Sequence, residues 1–258
     1  MKTFPIIEAF VSIQGEGERS GIPSIFIRTS GCNLRCVFGL SICDTPYSSF
    51  NPENSSLSYD DVLKLINDNP QIHDIVITGG EPLMHRDGLI DMLNYLGYRV
   101  NLLDMCITIE TNGTFDPLPE EYETWNIGLY SISPKLKTSV ALPGQIINLP
   151  NGESIHFSQE QIDNFHKTRR NDRALKMFTD TFSYQFKFVY SGMESYNEIK
   201  EYIHEYNIDP KNIMLMPEGL DERILSKHRQ EAAEICIKEG WNYTDRLHII
   251  IWGNKRGI

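Results

Sequence analysis

The sequence predicts an α/β protein whose mostly parallel strands form a partial, open (β/α) barrel. Three features carry this expectation: seven short apolar, β-branched runs, helical patterns between several of them, and a length of 258 residues that suits one domain of barrel size. The runs fall at residues 24–29, 74–78, 105–110, 128–133, 185–190, 212–216 and 248–252, and each reads as a strand. The first intervening helix spans 58–67, where Ser58 stands as N-cap, Asp61 follows three residues on, and Val62, Leu65 and Ile66 share one face. Further helical patterns cover 87–96, 194–206, in which Tyr196, Ile199 and Ile203 align, and 221–239. Alternation of this kind builds parallel βαβ units, and seven strands over this length suit an open barrel better than a closed eight-fold one. Residues 143–181 break the rhythm. Turn signals at Pro143-Gly144 and Asn151-Gly152 precede a polar, helical run with Lys167, Arg169, Arg170, Arg173 and Lys176. The stretch reads as an insertion in a single domain covering 1–258.

A formal charge of −11, from 35 acidic against 24 basic residues, repels a phosphate backbone, so direct nucleic-acid binding is not expected. No run approaches the eighteen or so apolar residues needed to span a bilayer, and the opening residues form no secretion signal. A cytoplasmic protein with no membrane partner is the expectation. Three of the five cysteines crowd into residues 32–43, which favours metal binding over a disulfide framework. Cys106 and Cys236 stand apart and read as small buried hydrophobes.

Cys32, Cys36 and Cys43 can hold three irons of a 4Fe-4S cube, one thiolate to each, leaving the fourth iron open. An open iron can chelate the amino and carboxylate groups of S-adenosylmethionine and pass an electron to its sulfonium. By spacing alone, a zinc site completed by a histidine, or three buried thiols, remain alternatives. The neighbourhood favours the cluster. Thr78-Gly79-Gly80-Glu81-Pro82 follows the run at 74–77 at its carboxyl end, where α/β folds place their ligands. Glycine there lets backbone approach a ligand, and Glu81 offers an acceptor for a methionine ammonium.

These residues resemble the radical S-adenosylmethionine superfamily, and within it they are similar to the 7-carboxy-7-deazaguanine synthase family. The resemblance rests on Ser12-Ile-Gln-Gly-Glu-Gly17, Phe26-Ile-Arg28, Gly31-Cys-Asn33, Cys43-Asp-Thr45, Val76-Ile-Thr-Gly-Gly-Glu-Pro82, Ile109-Glu-Thr-Asn-Gly113, Ser131-Ile-Ser-Pro-Lys135 and the run 248–258. Segment 12–17 and the Trp252-Gly-Asn-Lys-Arg-Gly257 stretch are far more specific than the cysteines. The resemblance implies that Cys32, Cys36 and Cys43 ligate the cluster, and that Ile42, Cys43, Asp44, Gly80, Glu81, Ser133, Pro134 and Lys135 line the S-adenosylmethionine site. It implies a magnesium ion on Thr45, a choice that suits a hard, oxygen-loving cation. It further implies a carboxylated tetrahydropterin held by Ile13, Gln14, Gly15, Glu16, Arg28, Thr78, His248 and the carboxylate of Ile258. Arg28 offers a planar fork for a carboxylate, and Gln14 or Glu16 can meet the pterin edge. Met216-Pro-Glu-Gly219 falls where the family makes further cofactor contacts.

The implied reaction is a lyase step of queuosine-type 7-deazapurine biosynthesis, in which 6-carboxy-tetrahydropterin becomes 7-carboxy-7-deazaguanine with loss of ammonia. A deoxyadenosyl radical takes a hydrogen from the pterin and ring contraction follows. The family also implies a homodimer and an electron donor such as flavodoxin. Two rivals are a glycyl-radical activase, which has no evident need of a pterin clamp, and a non-catalytic metal-binding module. One departure stands out: six residues separate Cys36 from Cys43 where the superfamily usually has two, and Ile42 replaces the usual aromatic. A bulge around Gly39 is the expected way to return Cys43 to its place.

Overall fold

The computed structural model describes the chain apart from residues 1–3, 40, 119–122, 150–151, 220–221, 254 and 258. Strands β1 (Ile6–Ile13) and β2 (Pro23–Thr29) are followed by a small hairpin, β3 (Val37–Phe38) and β4 (Ser41–Ile42), and by helix α1 (Tyr59–Asp68). Next come β5 (Asp74–Gly79), α2 (Arg86–Gly97), β6 (Cys106–Thr111) and β7 (Leu129–Ile132). A second hairpin, β8 (Ile146–Asn148) and β9 (Ser154–His156), precedes α3 (Gln159–Thr168), α4 (Asp172–Thr181), β10 (Tyr184–Tyr190) and α5 (Met193–Tyr206). The chain continues through β11 (Ile213–Pro217), α6 (Glu222–Glu239), β12 (Asn242–Tyr243) and α7 (Leu247–Trp252).

Eight strands form one sheet in the order β1-β2-β5-β6-β7-β10-β11-β12, so sheet order follows chain order. Every neighbouring pair is parallel except β1–β2. Right-handed crossovers running steadily in one direction put the helices on one side, which rolls the sheet toward a barrel. Its two edges approach at one end, where Gly17 N donates to Thr244 Oγ1 at 2.7 Å and Leu247 N to Gly15 O at 2.9 Å. Among the described residues no helix is long and apolar enough to cross a membrane.

Side chains alternate across each strand, and this sorts them into two populations. Ile25, Ile27, Ile75, Ile77, Ile107, Ile109, Ile132, Phe186, Phe188 and Leu215 are fully buried with the helices in the main core. Residues of the other parity, Phe26, Arg28, Thr78, Glu110, Ser131, Lys187 and Met216, face a cavity inside the curve of the sheet. Ser58 caps α1 as expected, accepting from Asp61 N while Asp61 accepts from Ser58 N, a box that stabilises the helix by about 1 kcal/mol.

One expectation needs correction. The run at 248–252 is not a strand but the short helix α7, which ends at Gly253 in a left-handed conformation (φ 70°). Arg246 is pinned by ion pairs to Glu16 and Asp44 just before it, which commits the backbone to turn away from the sheet edge rather than extend along it. Conversely, β1 was not anticipated. It is an antiparallel edge strand whose burial does not alternate cleanly, so it lacks the pattern of a core strand. Within 143–181 the structure places the hairpin β8–β9 and helices α3 and α4. Of these, α4 buries Ala174, Leu175 and Phe178 in the main core as the crossover between β7 and β10. The expected start of the last long helix at Asp221 lies outside the described residues, and the helix is described from Glu222.

Candidate active site

Three loops at the carboxyl ends of parallel strands meet above the cavity, and backbone bonds knit them together. Gly80 N donates to Thr29 O at 3.1 Å, Glu81 N to Gly31 O at 2.8 Å, and Gly31 N to Ser48 O at 2.8 Å. This packing is why Gly80 must be glycine: a Cβ there would run into the carbonyl of Gly31. Asn33 bridges to the loop after β6, donating to Thr114 Oγ1 at 2.9 Å and accepting from Asn112 Nδ2 at 2.9 Å.

The lengthened cysteine spacing resolves into the β3–β4 hairpin, with Val37 opposite Ile42 and Phe38 opposite Ser41. Cys43 N donates to Cys36 O at 3.0 Å, so the extra residues leave the two cysteines adjacent. Cys32, Cys36 and Cys43 all border the cavity of about 610 Å³. Burial pushes the Cys32 thiol up to about 11, and it pushes Cys36 and Cys43 up as well. Among the described residues no three His, Cys, Asp or Glu side chains converge on one point as a mononuclear metal site needs. A cube instead takes one thiolate at each of three separate irons, which fits three cysteines set around a cavity wall.

Next to the cysteines stand the other residues expected to hold S-adenosylmethionine. Asp44, Gly80, Ser133 and Lys135 border the cavity, with Lys135 Nζ 2.9 Å from Ser133 Oγ. Pro134 is buried beside them, and Ile42 is half-buried on the hairpin, where it packs against the apolar cluster around Ile162. Glu81 is a correction. Its carboxylate, expected to meet a ligand ammonium, is turned into the protein and accepts from Leu83 N (3.0 Å), Thr111 Oγ1 (2.8 Å) and Asn112 N (2.6 Å). It is fully buried, which pushes its pKa up to about 7 against the pull of those donors.

The same cavity also carries a polar wall, which runs up to the cysteines at Thr45. Ile13, Gln14, Glu16, Arg28, Thr45, Thr78 and His248 border the cavity, and Gly15 supports His248 from behind. Arg28 Nε donates to Glu8 Oε2 at 2.9 Å, and among the described residues its two terminal nitrogens make no hydrogen bond. Thr45 Oγ1 lies 3.4 Å from Cys43 Sγ. Burial pulls the His248 pKa down, so its imidazole is neutral at neutral pH. Ile258 lies outside the described residues, but Lys255, Arg256 and Gly257 border the cavity.

Several site residues escaped the sequence reading. Lys187 Nζ reaches Glu16 Oε2 at 2.6 Å and Glu110 Oε1 at 3.4 Å, while Glu110 accepts from Thr78 Oγ1 at 2.7 Å and from Gln14 Nε2 at 3.3 Å. Arg246 pairs with Glu16 Oε1 at 3.2 Å, with Asp44, and with the carbonyl of Gly219 at 3.0 Å. Burial disfavours the Glu16 carboxylate, but Lys187, Arg246 and His248 outweigh it and hold the acid well below the usual range. The polar wall is thus one charge-balanced network.

Comparison with known proteins agrees with this geometry. The Radical SAM superfamily profile matches residues 26–143. A 7-carboxy-7-deazaguanine synthase from Halobacterium salinarum is 36% identical over 97% of this chain and 91% of its own length. One from Rhodopirellula baltica is 36% identical over 98% and 88%. The chain belongs to the 7-carboxy-7-deazaguanine synthase family. A crystal structure of QueE from Escherichia coli has the same fold, with a TM-score of 0.63, 23% identity and 96% of each chain covered. For a 7-carboxy-7-deazaguanine synthase family member of the radical S-adenosylmethionine type, the thiol-lined half of the cavity suits the 4Fe-4S cluster and S-adenosylmethionine, and the polar wall suits a small-molecule substrate.

Proposed function

We infer that this chain is a 7-carboxy-7-deazaguanine synthase, converting 6-carboxy-5,6,7,8-tetrahydropterin to 7-carboxy-7-deazaguanine with loss of ammonia. One observation carries the reading: a single cavity is lined by three cysteines and by a network of acids, amides and cations able to bind a polar, carboxylated heterocycle. Bound at the thiols, the cluster and S-adenosylmethionine supply reductive cleavage of the sulfonium and abstraction of one substrate hydrogen. An external reductant is required, and we propose a flavodoxin-like donor.

The chain's own work is to fix the pose, because only one hydrogen of the substrate can be presented to the cofactor. Arg28 offers its two free nitrogens to the substrate carboxylate. Gln14, Glu110 and His248 present both donors and acceptors to the pterin edge, and the stacked rings of Phe10 and Phe26, 5.2 Å apart, form an apolar flank. Lys135 offers a cation for the cofactor carboxylate. Thr45 supplies an oxygen for magnesium shared with the substrate, a fit that rests on Thr45 bordering the cavity. His248, whose pKa burial lowers, offers the substrate a neutral imidazole as a hydrogen-bonding group. The enzyme acts as a homodimer in this reading.

Anaerobic turnover with the carboxylated tetrahydropterin, S-adenosylmethionine, magnesium and dithionite tests the assignment. The expected result is the deazaguanine acid together with deoxyadenosine. Deoxyadenosine without the acid would move the substrate assignment to a related pterin or to a glycyl-radical partner. Colourless protein that binds zinc and cleaves no S-adenosylmethionine would overturn the enzyme itself.

A further inference from the structure

The segment from 143 to 168 has no part in the network just described, yet it lies against the cysteine loop at three levels. Gln145 Nε2 donates to the carbonyl of Gly39, at the tip of the β3–β4 hairpin, at 2.6 Å. Ile147, Phe157 and Ile162 form one buried cluster with Val37, and Ile42 packs on it. Phe165 of α3 is buried with Leu34 and Cys36, and Cys32 and Cys43 pack against this trio. A ring-edge contact between Phe50 and Phe157 (6.5 Å) extends the seam to Arg35, which lies 5.9 Å from the Phe50 ring and donates to Cys32 O at 2.7 Å. Directly after it, Arg169 donates to Lys135 O at 2.9 Å and pairs with Glu198 at 2.7 Å, so the residue that follows the segment holds the turn that carries Lys135.

We propose that residues 143–168 are the structural counterpart of the lengthened Cys36–Cys43 loop: a cap that holds the hairpin closed and shields the cluster, with Phe165 as the positioning residue beside the three thiols. The proposal rests on the reading that these cysteines carry the cluster. The physical reason is that a two-stranded hairpin of two residues per strand is marginal by itself and needs an apolar partner to stay formed. The cap supplies that partner and replaces water at the thiolate end of the cavity, where solvent exposure governs cluster behaviour.

The test compares Phe165→Ala, Phe165→Leu and Gln145→Ala after anaerobic reconstitution, reading iron per chain and then the decay of the cluster absorbance in air. Phe165→Ala is expected to take up wild-type iron and bleach several-fold faster, with Phe165→Leu restoring the wild-type rate by refilling the volume. Gln145→Ala is expected to bleach at an intermediate rate. In cluster-free protein, hydrogen exchange at the Cys43 amide should quicken about fivefold in Gln145→Ala, since one hydrogen bond to the hairpin is lost. Unchanged bleaching in both Phe165→Ala and Gln145→Ala, or an unchanged Cys43 amide, would overturn the cap. Loss of iron in both Phe165 variants with Gln145→Ala unaffected would also do so, because Phe165 would then serve only folding. A wild-type chain that takes up no cluster would instead refute the cluster reading, while the Cys43 exchange measurement still decides whether the segment closes the hairpin.

Discussion

The guanidinium of Arg256 lies 3.8 Å above the centre of the Tyr47 ring. From there its two terminal nitrogens grip the Glu53 carboxylate at 2.8 and 2.7 Å, and its Nε pairs with Glu8, the same carboxylate that orients Arg28. The segment after α7 is therefore fastened across the cavity mouth through the group that aligns the substrate-facing arginine. Arg256→Ala is expected to raise the KM for the pterin about tenfold, with little change in iron content, because a stacked cation and a bidentate pair are lost together. Glu53→Gln should give a smaller rise. An unchanged KM in Arg256→Ala would remove the fastening from the site.

Arg28→Ala is expected to weaken substrate binding by roughly 2–3 kcal/mol, read as a KM increase of about 30- to 150-fold in anaerobic turnover. Iron content and binding of S-adenosylmethionine should stay at wild-type levels. If the cluster were lost as well, the division between the thiol side and the polar wall would be wrong. Arg28→Lys should recover only part of the affinity, since lysine lacks the planar fork.

Gly15→Ala places a methyl where the His248 imidazole now sits, as a Cβ at residue 15 would collide with Nδ1 of that ring. Because Leu247 N also bonds to Gly15 O, the strain reaches the start of α7. Turnover is expected to fall at least about 100-fold while the cluster absorbance remains, the mark of a misplaced substrate wall. Turnover within twofold of wild type would show that His248 can move freely.

Glu81→Ala should destabilise the fold by roughly 2–4 kcal/mol in denaturant titration, because Leu83 N, Asn112 N and the Thr111 hydroxyl lose a buried acceptor together. Glu81→Gln, which keeps one acceptor oxygen, should cost less. Equal costs for the two variants would argue against this bracing role.

Glu16 gives the pH dependence a sign. Its folded-state pKa lies below its ordinary value of 4.5, so the native state binds fewer protons than the unfolded chain. The stabilisation is complete above pH 4.5 and is withdrawn as pH falls toward the depressed value. Acid titration of stability should accordingly be shallower in Glu16→Gln than in wild type. Parallel curves would mean that Lys187 and Arg246 do not act on this carboxylate.

Six of the seven expected strands and the helices at 59–68, 86–97 and 193–206 were legible because hydrophobic periodicity and capping chemistry are local properties. The run at 248–252 misled because β-branched residues also tolerate a short helix when a neighbour such as Arg246 fixes the backbone from outside. At the site, motif residues such as Cys32 and Arg28 could be read directly. Lys187, Glu110 and Arg246 could not be, since their importance comes from partners between 32 and 230 positions away in sequence. A weaker signal did exist for two of them: Glu110 and Lys187 are the charged residues of strands β6 and β10, each of opposite parity to the buried residues on either side. Glu81 shows the reverse limit, a motif acid whose side chain serves the loop rather than the ligand.

Sheet order that follows chain order has a consequence in time. As the polypeptide is made, at about 5–20 residues per second, each new strand finds its neighbour already present and the scaffold can grow from one edge. The cavity cannot be finished that way. Glu16 waits for Arg246, Gly15 for His248, and Tyr47 for Arg256, so both walls face each other only after residue 256 has been added. A chain released before that point would carry the cysteines without the substrate clamp.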